Sequence, residues 1–248
     1  MFIVLLKKIG ERYGVMHDFP ERIPIFVEND FIHQEVGKIL IESSCRRQYS
    51  PGEVIVVEGT DRRILLSIIS GYVSLERKLK NEDSVIFDFS GPGAFIGFVE
   101  LDFYTFTARC LSRVDLFIIP ASTMKNLMAN YLPIRNFIMK KMSQRIAHLN
   151  DHVALLARAR ARQRLALFLL ERRWSGINYD RESREITLPM SRTDIANNLG
   201  LTQETVSRIF RDFEKEKIIS IKNHNWIIME NIESLTMISS WPSTKLSN

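Results

Sequence analysis

The sequence predicts an α+β chain: an antiparallel β-barrel or sandwich, then a long helix, then a helix-turn-helix followed by a β-hairpin. Three observations carry this reading. Residues 49–120 form a series of short β-branched and aromatic runs separated by turn residues. Residues 138–156 place apolar side chains at steps of three and four. Residues 196–206 combine a small residue, a glycine and apolar positions at the spacing of two helices joined by a tight turn.

Taken in chain order, residues 29–44 carry Phe31, Val36, Ile39 and Leu40 on an approximate helical stripe. The strand candidates are Val54–Val57, Ile64–Ile69, Tyr72–Leu75, Ser84–Phe89 and Val114–Ile119. Pro51-Gly52, Gly59, Ser70-Gly71, Asn81–Asp83 and Gly91–Gly93 punctuate them. Short strands at regular spacing with such punctuation close into a barrel or stack as a sandwich.

After Pro120 the period changes. Pro133 suits the first turn of a helix, where its missing N–H costs nothing. Ile138, Met142, Ile146, Leu149, Val153 and Leu156 then recur at spacings of 4, 4, 3, 4 and 3. This is an a/d seam, with Lys140, Lys141, Gln144, Arg145, Asn150 and Asp151 mostly outside it. A helix over 134–157 is roughly 36 Å long at 1.5 Å per residue. A narrow stripe on so long a helix predicts the seam of a homodimer. Around Arg158–Gln163 the stripe breaks, and Leu165, Phe168, Leu169 and Trp174 begin a new face over 162–174. The expected divisions are therefore 1–130 for the β-domain with its N-terminal helix, 131–158 for the dimer helix, 159–235 for the helix-turn-helix domain and 236–248 for a tail.

The most specific signal lies in residues 191–213. Ile195 and Leu199 give the first helix its buried face; Val206, Ile209, Phe210 and Phe213 do so for the second. Ala196 stands where the two backbones approach, Gly200 supplies the left-handed residue that ends the first helix, and Thr202 is an N-cap for the second. The outward side of the second helix is then Gln203, Glu204, Ser207, Arg208 and Arg211. In a DNA major groove a glutamate accepts from cytosine N4, and an arginine donates twice to guanine O6 and N7. Gln203, Glu204, Ser207 and Arg208 are the expected base readers. Glu204 and Arg208, four apart, are equally spaced for a surface ion pair. Lys217–Ile221 and Trp226–Met229 read as a hairpin with a polar tip, the wing of a winged helix. Arg192, Thr193, Thr202, Thr205 and Arg211, with Lys222 and His224 at the hairpin tip, are the expected phosphate contacts.

Composition agrees with a globular chain of one or two domains: 248 residues, 45% apolar, 25% charged, formal net charge +5. From Arg158 to Asn225 there are 14 Lys+Arg against 9 Asp+Glu, while the remainder has 20 of each. The basic excess thus sits with the helix-turn-helix and suits a polyanion, although Arg158, Arg160, Arg162 and Arg164 also suit a solvated face. Two cysteines exclude a disulfide scaffold and a many-thiolate zinc site. The apolar run Phe2–Leu6 precedes Lys7-Lys8 and is too short for a signal peptide or membrane span, so a cytoplasmic chain with no membrane partner is expected. No nucleophile–base pair, metal set, phosphate-cradling glycine loop or paired carboxylates emerges, so the chain is read as no enzyme.

The whole order resembles the Crp/Fnr family of bacterial transcription regulators, over roughly residues 30–235. Pro51-Gly52-Glu53 through Glu58-Gly59, Ser70-Gly71 through Leu75, and Gly93 through Gly97 are similar to that family's cyclic-nucleotide-binding jelly roll. Leu201-Thr-Gln-Glu204-Thr-Val-Ser207-Arg208 is similar to the Glu-x-x-Ser-Arg signature of the Fnr and FixK branches. The resemblance implies a homodimer on double-stranded DNA, an inverted repeat near TTGAT-N4-ATCAA, and activation through RNA polymerase. Gln203 stands where the Crp branch has arginine, which argues against Crp-type sites.

The resemblance also sets the cofactor expectations. Members that bind cyclic nucleotide carry Gly-Glu and later Arg-Ser/Thr. Here Gly97 is followed by Phe98, and Phe103–Thr107 before Ala108 holds no arginine, Glu100 being at most a displaced substitute. A buried phosphate without an arginine is costly, so no cyclic nucleotide is expected. An Fnr-type iron–sulfur cluster needs four thiolates, and two cysteines do not supply them. Haem stays open, with Phe87, Phe89, Phe95, Phe98 and Phe103 as candidate lining. The alternative reading is a haem- or small-molecule-sensing regulator whose barrel ligand controls DNA binding. His148 and His152 share a helix face but flank the seam, and a solvated or partner-contact role is expected rather than a metal. Cys45, before Arg46-Arg47, is the more reactive thiol candidate, and Cys110 in an apolar strand is read as inert.

Overall fold

The computed structural model describes residues 31–61, 63–79, 84–97, 102–174, 179–223 and 225–239. The expectations for Phe2–Leu6, Asn81–Asp83, Phe98, Glu100 and His224 lie outside the described residues. So do those for the chain beyond Ser239.

The elements in order are α1 (Phe31–Glu42), β1 (Cys45–Tyr49), β2 (Val54–Val56), β3 (Ile64–Ser70), β4 (Val73–Lys78), β5 (Ser84–Ser90), β6 (Phe95–Ile96), β7 (Thr107–Cys110) and β8 (Val114–Pro120). Then follow α2 (Ala121–Asn130), α3 (Leu132–Arg158), α4 (Ala161–Trp174), β9 (Glu185–Thr187), α5 (Arg192–Leu199), α6 (Gln203–Lys215), β10 (Ile219–Ile221), β11 (Trp226–Met229) and α7 (Ile232–Ser239). Two compact units result. One holds the described residues up to Leu79 with Phe87–Arg145; the other holds Ser84–Ile86 and the described chain from Ile146 onward. The division between them falls within α3, after Arg145.

In the first unit, two four-stranded sheets, ordered β1-β8-β3-β6 and β2-β7-β4-β5, enclose an apolar core. Alternation along the strands sends Leu66, Ile68, Val114 and Leu116 from one sheet and Val56, Leu75 and Ala108 from the other into that core. Between β3 and β4, Gly71 has φ +85°, and a Cβ there would lie 2.2 Å from the Arg113 carbonyl oxygen, so only glycine fits. The polar strand β1 sits at a sheet edge, where charged side chains discourage further pairing. On it, Arg46 Nε donates to both carboxylate oxygens of Asp115 at 3.0 Å.

The opposite face of the first sheet is covered by helices. Leu40 of α1, Leu65, Ile119, Met124 and Leu127 of α2, and Ile134, Phe137 and Ile138 of α3 form one cluster. Ile138, expected on the dimer seam, is fully buried at 0% exposure in this cluster. Two apolar stripes run along α3, and Ile138 belongs to the one its own sheet covers. Arg145, further along α3, pairs with the buried carboxylate of Asp88 on β5, which also accepts from the Ser90 hydroxyl at 2.7 Å.

Of the aromatic set expected to line one cavity, Phe87, Phe95 and Phe103 lie apart from one another. Phe87 packs edge-on to Phe106 in the inter-sheet core, with ring centroids 6.0 Å apart. Phe95 faces the helices and packs edge-on to Phe137, at 5.8 Å. Phe103 is half exposed at the surface, since it joins only an isolated bridge with Asp61.

The second unit is a helical core with a three-stranded sheet ordered β10-β11-β9. The fully buried Leu165, Phe168 and Leu169 of α4 join its core. Helix α7 begins beyond a cap in which the Asn231 carboxamide accepts from the Ser234 N–H at 2.9 Å. It packs on α4 and buries Leu235, so the helix runs through the 235/236 division expected from sequence.

Candidate nucleic-acid interface

The two helices of the motif are fixed by local chemistry at both ends. Ser191 caps α5 through a reciprocal box: its hydroxyl accepts from the Asp194 N–H at 3.1 Å, and the Asp194 carboxylate accepts from the Ser191 N–H at 2.8 Å. Gly200 ends α5 in the left-handed region at φ +60°. Thr202 caps α6, its hydroxyl accepting from the Thr205 N–H at 3.2 Å and donating to the Thr205 hydroxyl at 2.9 Å. Ile195, Ala196, Leu199, Val206, Ile209, Phe210 and Phe213 are all buried.

Burying that face turns the other side of α6 outward. Gln203, Glu204, Arg208 and Arg211 are exposed, and Ser207 is partly so. Gln203, Glu204 and Arg208 have no side-chain partner among the described residues, and no ion pair joins Glu204 to Arg208 there. Arg211 Nε reaches only the Ser207 carbonyl, at 3.4 Å. Donor and acceptor groups that fold this way remain available to a ligand.

The expected phosphate contacts differ from one another. Thr193 is exposed. Arg192 is not a free surface cation: its guanidinium lies 3.4 Å from the centre of the Phe210 ring. Its Nη1 is buried without a partner among the described residues. Burial lowers its pKa to about 10, so it stays charged at neutral pH. Thr202 and Thr205 are occupied with each other at the cap. Lys222, at the wing, pairs with Glu185 on β9.

The arginines in the first turn of α4 are also not a uniform solvated face. Arg162 pairs with Glu216 and lies 4.8 Å over the Phe213 ring. Its hydrogen bond holds the Glu216 carboxyl below the usual range. Arg164 binds three backbone carbonyls, which sequence spacing does not reveal.

Along α3, Leu132, Met139, Ile146 and Val153 recur every seventh position and are 55%, 53%, 57% and 65% exposed. Leu149 and Leu156 are half-buried, while Met142, also expected on the seam, is half-buried and packs against the cluster that holds Ile138. Leu132 and Met139 belong to this exposed stripe although the sequence-derived set did not include them. His148 and His152 are half-buried, and no group of three metal-ligating side chains occurs among the described residues.

A β-jelly-roll unit, a long helix and a winged helix-turn-helix with an open reading face define a DNA-binding regulator. Comparison with known proteins agrees. Residues 163–238 match the Crp-like helix-turn-helix domain, and residues 46–131 match the cyclic nucleotide-binding domain. The chain is 31% identical over 206 residues to the fumarate and nitrate reduction regulatory protein of Yersinia pestis, covering 81% of each. It is 30% identical over 196 residues to that of Vibrio cholerae, covering 77% of this chain and 78% of the relative. The fold is similar to FixK2 from Bradyrhizobium japonicum, with TM-score 0.74 and 24% identity over 79% of this chain and 96% of that one. The chain belongs to the Crp/Fnr family of DNA-binding transcription regulators. No helix among the described residues is long and apolar enough to cross a membrane.

Proposed function

We propose that the chain is a homodimeric regulator, acting in the cytoplasm, that reads an inverted repeat close to TTGAT-N4-ATCAA and activates transcription through contact with RNA polymerase. The observation that carries this is the outward face of α6. Gln203, Glu204 and Arg208 lack partners among the described residues, on a helix whose other face is buried. Glu204 and Arg208 suit cytosine N4 and guanine O6/N7. Phosphates fall to Thr193, Arg211 and the wing, with Arg192 and Lys222 contributing from their paired positions.

The heptad stripe on α3 supports the dimer. Four exposed apolar side chains seven apart need a cover, and a second copy of the same helix offers a matching one. Two reading helices then lie about one DNA turn apart, roughly 34 Å.

Activity without cyclic nucleotide is supported by the barrel core. Phe106-Thr107 stands before Ala108, where the resemblance puts Arg-Ser/Thr. Phe106 is 6% exposed, between Phe87 and Tyr104. Hydrocarbon there offers a phosphate no cation. Two cysteines are too few for a four-thiolate cluster. Selection of bound DNA from a random pool, with purified protein and no added ligand, tests the reading. The expected product is the inverted repeat. Enrichment of no sequence, or only on adding a small molecule or haem, overturns it.

A further inference from the structure

Arg164 stands in the first turn of α4 and spends its guanidinium on three carbonyls from two other segments. Nε donates to Ala159 at 2.9 Å, Nη2 to Leu156 at 2.8 Å and Nη1 to Leu199 at 2.8 Å. Leu156 lies in the last turn of α3, Ala159 just beyond it, and Leu199 is the final residue of α5. Helix C-termini leave carbonyls without intrahelical donors and carry partial negative charge, so a cation there satisfies both ends at once. The turn of the motif is closed around the same group. A Cβ at Gly200 would lie 3.4 Å from Arg164 Nη1 and 3.7 Å from Leu156 Cδ2. The end of the long helix and the turn that launches the reading helix thus share one planar, rigid donor. A lysine ammonium has no fixed fork and cannot reproduce three divergent bonds.

We propose that Arg164 is a positioning residue that sets the half-site spacing the protein accepts, by fixing the angle between the dimer helix and the reading helix. This rests on the reading of the chain as a two-fold dimer on an inverted repeat. Arg164 touches no base in this scheme. Its effect is geometric: a reading helix displaced by roughly 3.4 Å, one base-pair step, meets the wrong register in one half-site.

The test uses full-length wild type, Arg164→Lys and Arg164→Gln against inverted repeats of one half-site sequence with a series of spacer lengths. Oligomeric state and thermal unfolding are measured in parallel. Wild type is expected to prefer one spacer. The variants are expected to stay folded, dimeric and selective for the same half-site, while the preference for the best spacer over its neighbours falls about tenfold. Folded variants that keep the wild-type spacer profile overturn the proposal. Failure of both variants to fold also overturns it, because the guanidinium then holds the fold and not the angle. A wild type that recognises no inverted repeat overturns the functional reading itself, and this inference with it.

Discussion

The guanidinium of Arg192 lies 3.4 Å from the centre of the Phe210 ring, which joins the first turn of α5 to the core face of α6. A residue expected at the DNA backbone is therefore also part of the packing between the two helices. Arg192→Ala is expected to lower the stability of the DNA-free protein by about 1–2 kcal/mol, the value of a desolvated cation–π contact. Denaturant titration checks this. An unchanged midpoint would mean that Arg192 serves only the phosphates.

Arg208 gives the opposite pattern. It is exposed and lacks a partner among the described residues, so Arg208→Ala is expected to leave unfolding unchanged. On the selected site the variant should lose about 1–3 kcal/mol of binding, with relaxed discrimination at one base pair. Equal losses on every sequence would reassign Arg208 to the backbone.

The two stripes of α3 separate stability from pairing. Ile138→Ala opens a cavity in the cluster around Leu65 and Leu127 and should cost about 2–5 kcal/mol of stability. The double substitution Ile146→Glu and Val153→Glu removes no core contact and should yield a folded monomer with weakened binding to the inverted repeat. Sedimentation of each variant, beside its melting curve, distinguishes the two stripes. A dimeric double variant would place the interface elsewhere.

Cys110 predicts an alkaline limit. Burial, then the Glu53 charge, raises its pKa from 9.0 to about 11. The folded chain holds this proton more tightly than the unfolded chain does. Below pH 9 both states are protonated and the contribution is full. As pH rises through 9 toward 11 the unfolded state ionises first, and up to about 2–3 kcal/mol is lost. The stability difference between wild type and Cys110→Ala should narrow across that window by this amount. A difference that stays flat would contradict the raised value.

Much of the reading motif was legible because its determinants are local. Gly200, Thr202 and the apolar positions 206, 209, 210 and 213 lie within a few residues of the structure they specify, and each appears in its expected role. The β-runs were found for the same reason. Strand β1 was missed because Arg46, Arg47 and Gln48 give it no apolar alternation, and its pairing with β8 joins residues far apart in sequence. Helix α7 was missed because its signals are slight: the Asn231 cap and one fully buried side chain, Leu235.

Sequence by itself determined the kind of molecule: two helices at motif spacing, a wing, a long amphipathic helix and a β-unit of short, turn-punctuated strands. Periodicity reports that a helix face is apolar, because that depends on residues three and four apart. It does not report what covers the face, because that depends on segments brought together only by folding. Tertiary structure alone decided that Ile138 faces its own sheet while Met139 faces out. It alone decided that Arg192 stacks on Phe210, and that Arg164 gathers carbonyls from the ends of two helices.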